Sequence, residues 1–139
     1  MSRLEEIGIK VVPPDPPDGS GNGLAILHEI ADLLSELVAI GKTSSIDLHG
    51  IPMNERDYEI LREVLGEGEI QAVLDLGGPS EVRETGCHGV WWIVHRNDDD
   101  QVLAETIEIT LLPAILATQP EDVKFGLERL KLVLRDSKN

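Results

Sequence analysis

Residues 70–96 read IQAVLDLGGPSEVRETGCHGVWWIVHR. In the first part, Ile70, Ala72, Leu74 and Leu76 alternate with Gln71, Val73 and Asp75, the period of a half-buried strand. Gly77-Gly78-Pro79-Ser80 supplies a turn, because glycine frees φ and proline fixes it. Glu81–Cys87 reads as a polar strand near an edge or facing water, and Gly89–His95 as an apolar strand. Asn97-Asp98-Asp99-Asp100 turns the chain again. Beyond it, Ile107, Ile109 and Leu111 alternate with Thr106, Glu108 and Thr110. Strands joined by short turns pair antiparallel. The stretch therefore predicts an antiparallel β-meander of about four strands.

Helical periods flank it. Leu24, Leu27, Ile30, Ala31, Leu34, Leu37 and Val38 recur at helical spacing, with Asn22 as the expected cap and Gly41 as the stop. His28 falls on the polar side and reads as solvated. Ser45–Leu48 is a candidate short strand, with Ile46 and Leu48 facing the same way. Asn54 caps a second helix whose stripe is Tyr58, Leu61 and Leu65, and Gly66 ends it. Pro120 opens a third, with Glu121 and Asp122 in its first turn. Its stripe is Val123, Leu127, Leu130 and Leu134. Gly126 inside it costs about 1 kcal/mol relative to alanine, and either a close helix–sheet approach or a plain helix defect would account for it. The predicted fold class is α+β, with about three helices packed mainly on one face of the sheet. Residues 1–21 read as an N-terminal arm and a Pro/Gly-rich linker, and 22–139 as a single domain.

Composition excludes several classes. A chain of 139 residues with 41% hydrophobic content can hold a core without staples. No apolar run approaches the roughly 18 residues of a membrane helix. The start, Met1-Ser2-Arg3-Leu4-Glu5-Glu6, lacks the apolar stretch of a signal peptide, so a cytoplasmic protein is expected. Net charge is −14, from 26 acids and 12 bases. Nucleic acid and anionic membrane surfaces need a basic patch, so neither is an expected partner; a basic segment is.

Chemistry leaves little trace. Cys87 is the one cysteine, so neither an intrachain disulfide nor a thiolate-rich zinc site can form. Cys87 and His88 are adjacent and diverge on a strand; a metal site there would need His28, His49 or His95 as well. Asp98-Asp99-Asp100 lacks the alternate spacing and closing Glu of a calcium loop. Gly19-Ser20-Gly21-Asn22-Gly23 follows a proline tract rather than a strand, and no Lys-Ser/Thr pair closes it into a phosphate loop. No nucleophile elbow or zinc-protease helix occurs. No catalytic, cofactor-binding or metal-binding residue is expected, and no cofactor. In Val90-Trp91-Trp92-Ile93-Val94 the tryptophans point to opposite faces. Trp91 shares its face with Ile93 and His95, the more polar set. These three are the predicted partner-binding residues, since tryptophan is enriched at binding hot spots; the alternative is that helices or the N-terminal arm cover both faces and both rings are core.

Four segments carry a resemblance. They are Ser45-Ile46-Asp47-Leu48 through Ile51-Pro52 and Asp57; Leu65-Gly66-Glu67-Gly68-Glu69-Ile70-Gln71; Glu84-Thr85-Gly86 with Gly89-Val90-Trp91; and Leu112-Pro113-Ala114-Ile115-Leu116 followed by Gln119-Pro120-Glu121-Asp122-Val123. In order and spacing they resemble the hydrogenase expression/formation proteins of the HupH/HyaF type, over roughly residues 22–134. The resemblance implies a non-catalytic accessory protein that helps mature nickel–iron hydrogenases. Its expected work is to chaperone or scaffold the iron–sulfur small subunit before export, alongside a thioredoxin-like maturation protein. Longer members look like two tandem copies of this unit, so a homodimer through the Trp91 face is expected here. The competing readings are a metal- or cluster-handling protein using Cys87 and His88, and a small enzyme without a recognised motif.

Overall fold

The computed structural model describes residues 19–75 and 77–137. The expected arm, up to residue 18, lies outside the described residues. The order of elements is helix α1 (Asn22–Ile40), strand β1 (Ser44–Asp47), a 3-10 turn (Leu48–Gly50), helix α2 (Glu55–Leu65), strands β2 (Gln71–Asp75), β3 (Pro79–Glu84), β4 (Val90–Arg96) and β5 (Val102–Ile109), a 3-10 turn (Ala114–Leu116) and helix α3 (Pro120–Asp136). The fold is α+β, and its sheet has five antiparallel strands in the order β1-β5-β4-β3-β2. Strands β2 to β5 are the expected meander. The fifth strand is the short Ser44–Asp47 run, which returns to pair with β5.

Alternation assigns the faces. Val90, Trp92 and Val94 of β4 join Ile107 and Ile109 of β5 in a core beneath α1 and α2, with Ile30 and Leu61. Trp91 and Ile93 project to the far face, against Val82. Leu48 leaves the strand for the 3-10 turn yet stays fully buried, because Asp47 Oδ1 accepts the His49 N–H at 3.0 Å and tightens the chain there.

The buried side of α1 differs from the expected stripe. Ile26 and Ile30 are its deepest apolar residues, whereas Leu24 and Val38 are exposed. Apolar residues recur on several sides of this helix, so its contact with α2, not its periodicity, selects the face. Its cap differs too. Gly21 holds the N-cap position without a side-chain bond, and the Asn22 amide donates to Pro52 O instead.

Asp57 does the capping. This fully buried carboxylate accepts from Gly23 N at 3.2 Å, Ser20 N at 3.0 Å and Ser20 Oγ at 2.5 Å. Within α2 it also accepts from Asn54 N at 3.0 Å, while Asn54 Oδ1 accepts from Asp57 N at 2.9 Å. One side chain therefore satisfies the first turns of two helices, groups that would otherwise be left without partners. Burial pushes its pKa up, but the bonds from Ser20, Asn54 and Gly23 outweigh burial and the net shift is downward.

Helix α3 corrects the expected packing. Each of its residues is exposed, and its stripe (Val123, Leu127, Leu130, Leu134) covers no part of the sheet. The cause lies just before it. Ala117 and Gln119 are extended and the connection is short, so the helix does not turn back onto its own domain. Among the described residues only the 3-10 turn lies on the far face, where Ile115 and Leu116 pack on Trp91, Ile93 and Val82.

Candidate functional site

The β3–β4 connection and the α2–β2 connection meet at one end of the sheet. Gly66 closes α2 at φ 68°, its N–H bonded to Arg62 O at 2.9 Å. The chain then runs beside the end of β3: Gly68 N donates to Glu84 O, and Glu84 N to Ile70 O, each at 2.9 Å. The approach requires glycine. A Cβ on Gly68 would lie 2.5 Å from Thr85 O, and one on Gly86 would lie 2.9 Å from Leu65 O. The Leu65–Gln71 and Glu84–Trp91 signatures are thus one packed unit.

Beside that unit lies a groove of about 370 Å³. Arg62, Glu67, Glu69, Arg83, Glu84 and Trp92 are among its lining residues. Arg83 reaches toward Glu67 at 4.0 Å, while its buried Nε has no hydrogen-bond partner among the described residues. The groove mixes both signs of charge over glycine backbone. Such a surface suits an extended, polar peptide more than a small apolar ligand. At its floor Trp92, itself buried, donates from Nε1 to Glu105 Oε2 at 2.7 Å.

The structure buries most of the predicted partner face. Trp91 and Ile93 are 3% and 2% exposed, because Ile115 and Leu116 lie over them. Trp91 Nε1 donates to Thr110 O at 3.1 Å, so the ring is satisfied at its polar end as well. His95 stays half-buried, its Nδ1 at 3.1 Å from Ser80 Oγ. The three residues do share a face, as the strand period requires, but they form core and its margin. Near them, burial raises the pKa of Glu108, which His95 offsets only in part.

Cys87 and His88 fall in the turn between β3 and β4 rather than on a strand. The turn is held by Thr85: its Oγ1 donates to Val90 O at 2.9 Å and accepts from Cys87 N at 3.1 Å. Cys87 packs inward beside the helix-side core, and His88 points outward, 3.5 Å from Glu84 Oε2. They diverge, and among the described residues no three His, Cys, Asp or Glu side chains are grouped to hold a metal.

Arg62 and Arg83 were not singled out in the sequence. Each is one charge among several on its own element. Only the pairing of residues 68–70 with Glu84 brings them to one groove, and no local pattern announces that pairing.

Residues 21–136 match the family described as the HupH hydrogenase expression protein, C-terminal conserved region. Hydrogenase expression/formation protein HoxQ of Cupriavidus necator is 32% identical over 119 residues, covering 86% of this chain and 42% of that protein. The hydrogenase-1 operon protein HyaF of Escherichia coli is 32% identical over 120 residues, covering 86% and 41%. The chain thus spans less than half the length of these relatives. The solved structure of the hydrogenase expression protein HupH from Thiobacillus denitrificans is similar with a TM-score of 0.76 at 40% identity, covering 87% of this chain and 99% of that one.

Proposed function

The chain belongs to the HupH hydrogenase expression protein family, and from that premise we propose that it is a non-catalytic accessory protein of nickel–iron hydrogenase maturation. In this reading it acts in the cytoplasm and holds the precursor of the iron–sulfur small subunit before export, together with a thioredoxin-like maturation protein. The observation that carries the reading is the groove. It is built where two segments that carry the family resemblance pack against each other, and its lining suits a peptide.

Charge supports the kind of segment held. The chain carries −14 overall, and in the groove Glu67, Glu69 and Glu84 outnumber Arg62 and Arg83. A basic, amphipathic segment such as a twin-arginine export signal is complementary to that surface. No helix among the described residues is long and apolar enough to cross a membrane.

The test is an anaerobic affinity pull-down of the tagged protein from cells making the hydrogenase. A small-subunit precursor in the eluate is the expected result, and its loss with Glu67→Lys plus Glu69→Lys would place the contact at the groove. An eluate without any hydrogenase component, from cells shown to be making the enzyme, rejects the reading.

A further inference from the structure

Two needs are left unmet among the described residues. Helix α3 carries an apolar stripe and has nothing to cover. Among the described residues the far face of the sheet is covered only by one 3-10 turn, and Ala72, Leu74, Ala104 and Thr106 around that turn are half-buried. We propose that two copies of this chain exchange α3, each helix lying across the far sheet face of the other copy.

Charge favours this occupant. Within α3, Glu121, Asp122, Glu128 and Asp136 balance Lys124, Arg129, Lys131 and Arg135, so the net −14 falls on the remainder of the chain. At about 100° per residue, Lys124, Lys131 and Arg135 form one edge of the Val123–Leu127–Leu130–Leu134 stripe. Register places Asp47, Glu84 and Glu108 on the far face, whose paired positions carry no lysine or arginine. A basic-edged apolar helix and an acidic, partly covered sheet face are complementary.

The connection decides between folding back and exchange. Ala117 and Gln119 are extended, and the whole helix after them lies in solvent. Short connections of this kind promote exchange between copies. Gly126 fits the same arrangement. It weakens the helix, yet a Cβ there would meet nothing within 4 Å in its own chain. It borders the stripe and would admit close approach to the second copy. A two-fold axis makes every contact twice. The proposal rests on α3 and the far face alone, and stands whether or not the client is a hydrogenase subunit.

Size-exclusion chromatography with light scattering tests it. The native chain is expected at twice its 15.2 kDa mass, and Leu127→Glu with Leu130→Glu is expected to halve that mass. Far-UV circular dichroism reports that the variant domain is folded. A native mass of 15.2 kDa at micromolar concentration overturns the proposal, as does a dimer that survives the double substitution. Cross-linking locates the contact if the variant does not fold. Leu130→Cys and Thr106→Cys chains, each also carrying Cys87→Ser, are mixed with a short bis-maleimide. Capture between the two kinds of chain supports exchange. Capture only between two Leu130→Cys chains, or none, overturns it.

Discussion

The Asp57 carboxylate of α2 accepts the N–H of Gly23 in α1, at 3.2 Å and across 34 residues of chain. The same side chain caps its own helix through Asn54. It is therefore the point where the two helices over the sheet are joined by polar contact. A Cβ on Gly23 would stand 2.9 Å from Asp57 O, so the pair is also sterically closed.

Asp57→Ala is expected to destabilise the fold by roughly 3 kcal/mol, since several hydrogen bonds to a buried charge are lost together. Urea unfolding measures it. A loss of only a few tenths would mean that water or another side chain takes over the cap.

Acid should reach the same site. The folded pKa of Asp57 is depressed, so the native state holds this proton less readily than the unfolded chain does. Its contribution is present above the unfolded value of about 3.9 and is lost as pH falls through the folded value. The urea midpoint of the native protein should therefore fall below about pH 4 more steeply than that of Asp57→Asn. Parallel pH profiles would contradict the assignment.

Gly68→Ala should separate the two signatures. The added methyl would lie 2.5 Å from Thr85 O, so the strand end must move. About 2 kcal/mol of stability is expected to go. Trp92 lines the adjoining groove, and its fluorescence should change with it. A variant with native stability and an unchanged emission spectrum would show that the backbone relaxes there freely.

Trp91→Ala should act on folding. The ring is buried under Ile115 and Leu116, and emptying such a site costs about 3–5 kcal/mol. A variant of native stability that loses only partner affinity would restore the exposed-ring expectation.

Glu105→Ala leaves Trp92 Nε1 without its acceptor at 2.7 Å. A buried donor left unpaired costs about 1–3 kcal/mol. Glu105→Gln, which keeps an acceptor, should recover most of that loss in the same unfolding assay.

Much of the fold was legible because short-range chemistry dictates it. The periods of β2, β4 and β5, the Asn54 cap, the Gly66 stop and the Pro120 start all follow from side-chain alternation or backbone freedom within a few residues. Strand β3 ends at Glu84, three residues before the expected Cys87, because Thr85 ties a tight turn back to Val90. The family was legible as well, since it is written in the order of short segments, and residues 21–136 carry it.

Other features needed the tertiary structure. Alternation placed Trp91 and Trp92 on opposite faces, but the layer of Ile115 and Leu116 decided that the exposed one would be neither. The cap of α1 comes from Asp57 rather than Asn22, a choice between two carboxyl and amide groups that only the packing of α2 on α1 can make. The groove exists because residues 68–70 pair with Glu84, and α3 stands apart because a short connection with Ala117 and Gln119 extended precedes it. Local sequence sets which conformations each segment prefers. Which surfaces then meet depends on contacts between segments far apart in the chain, and no short window of sequence contains both partners.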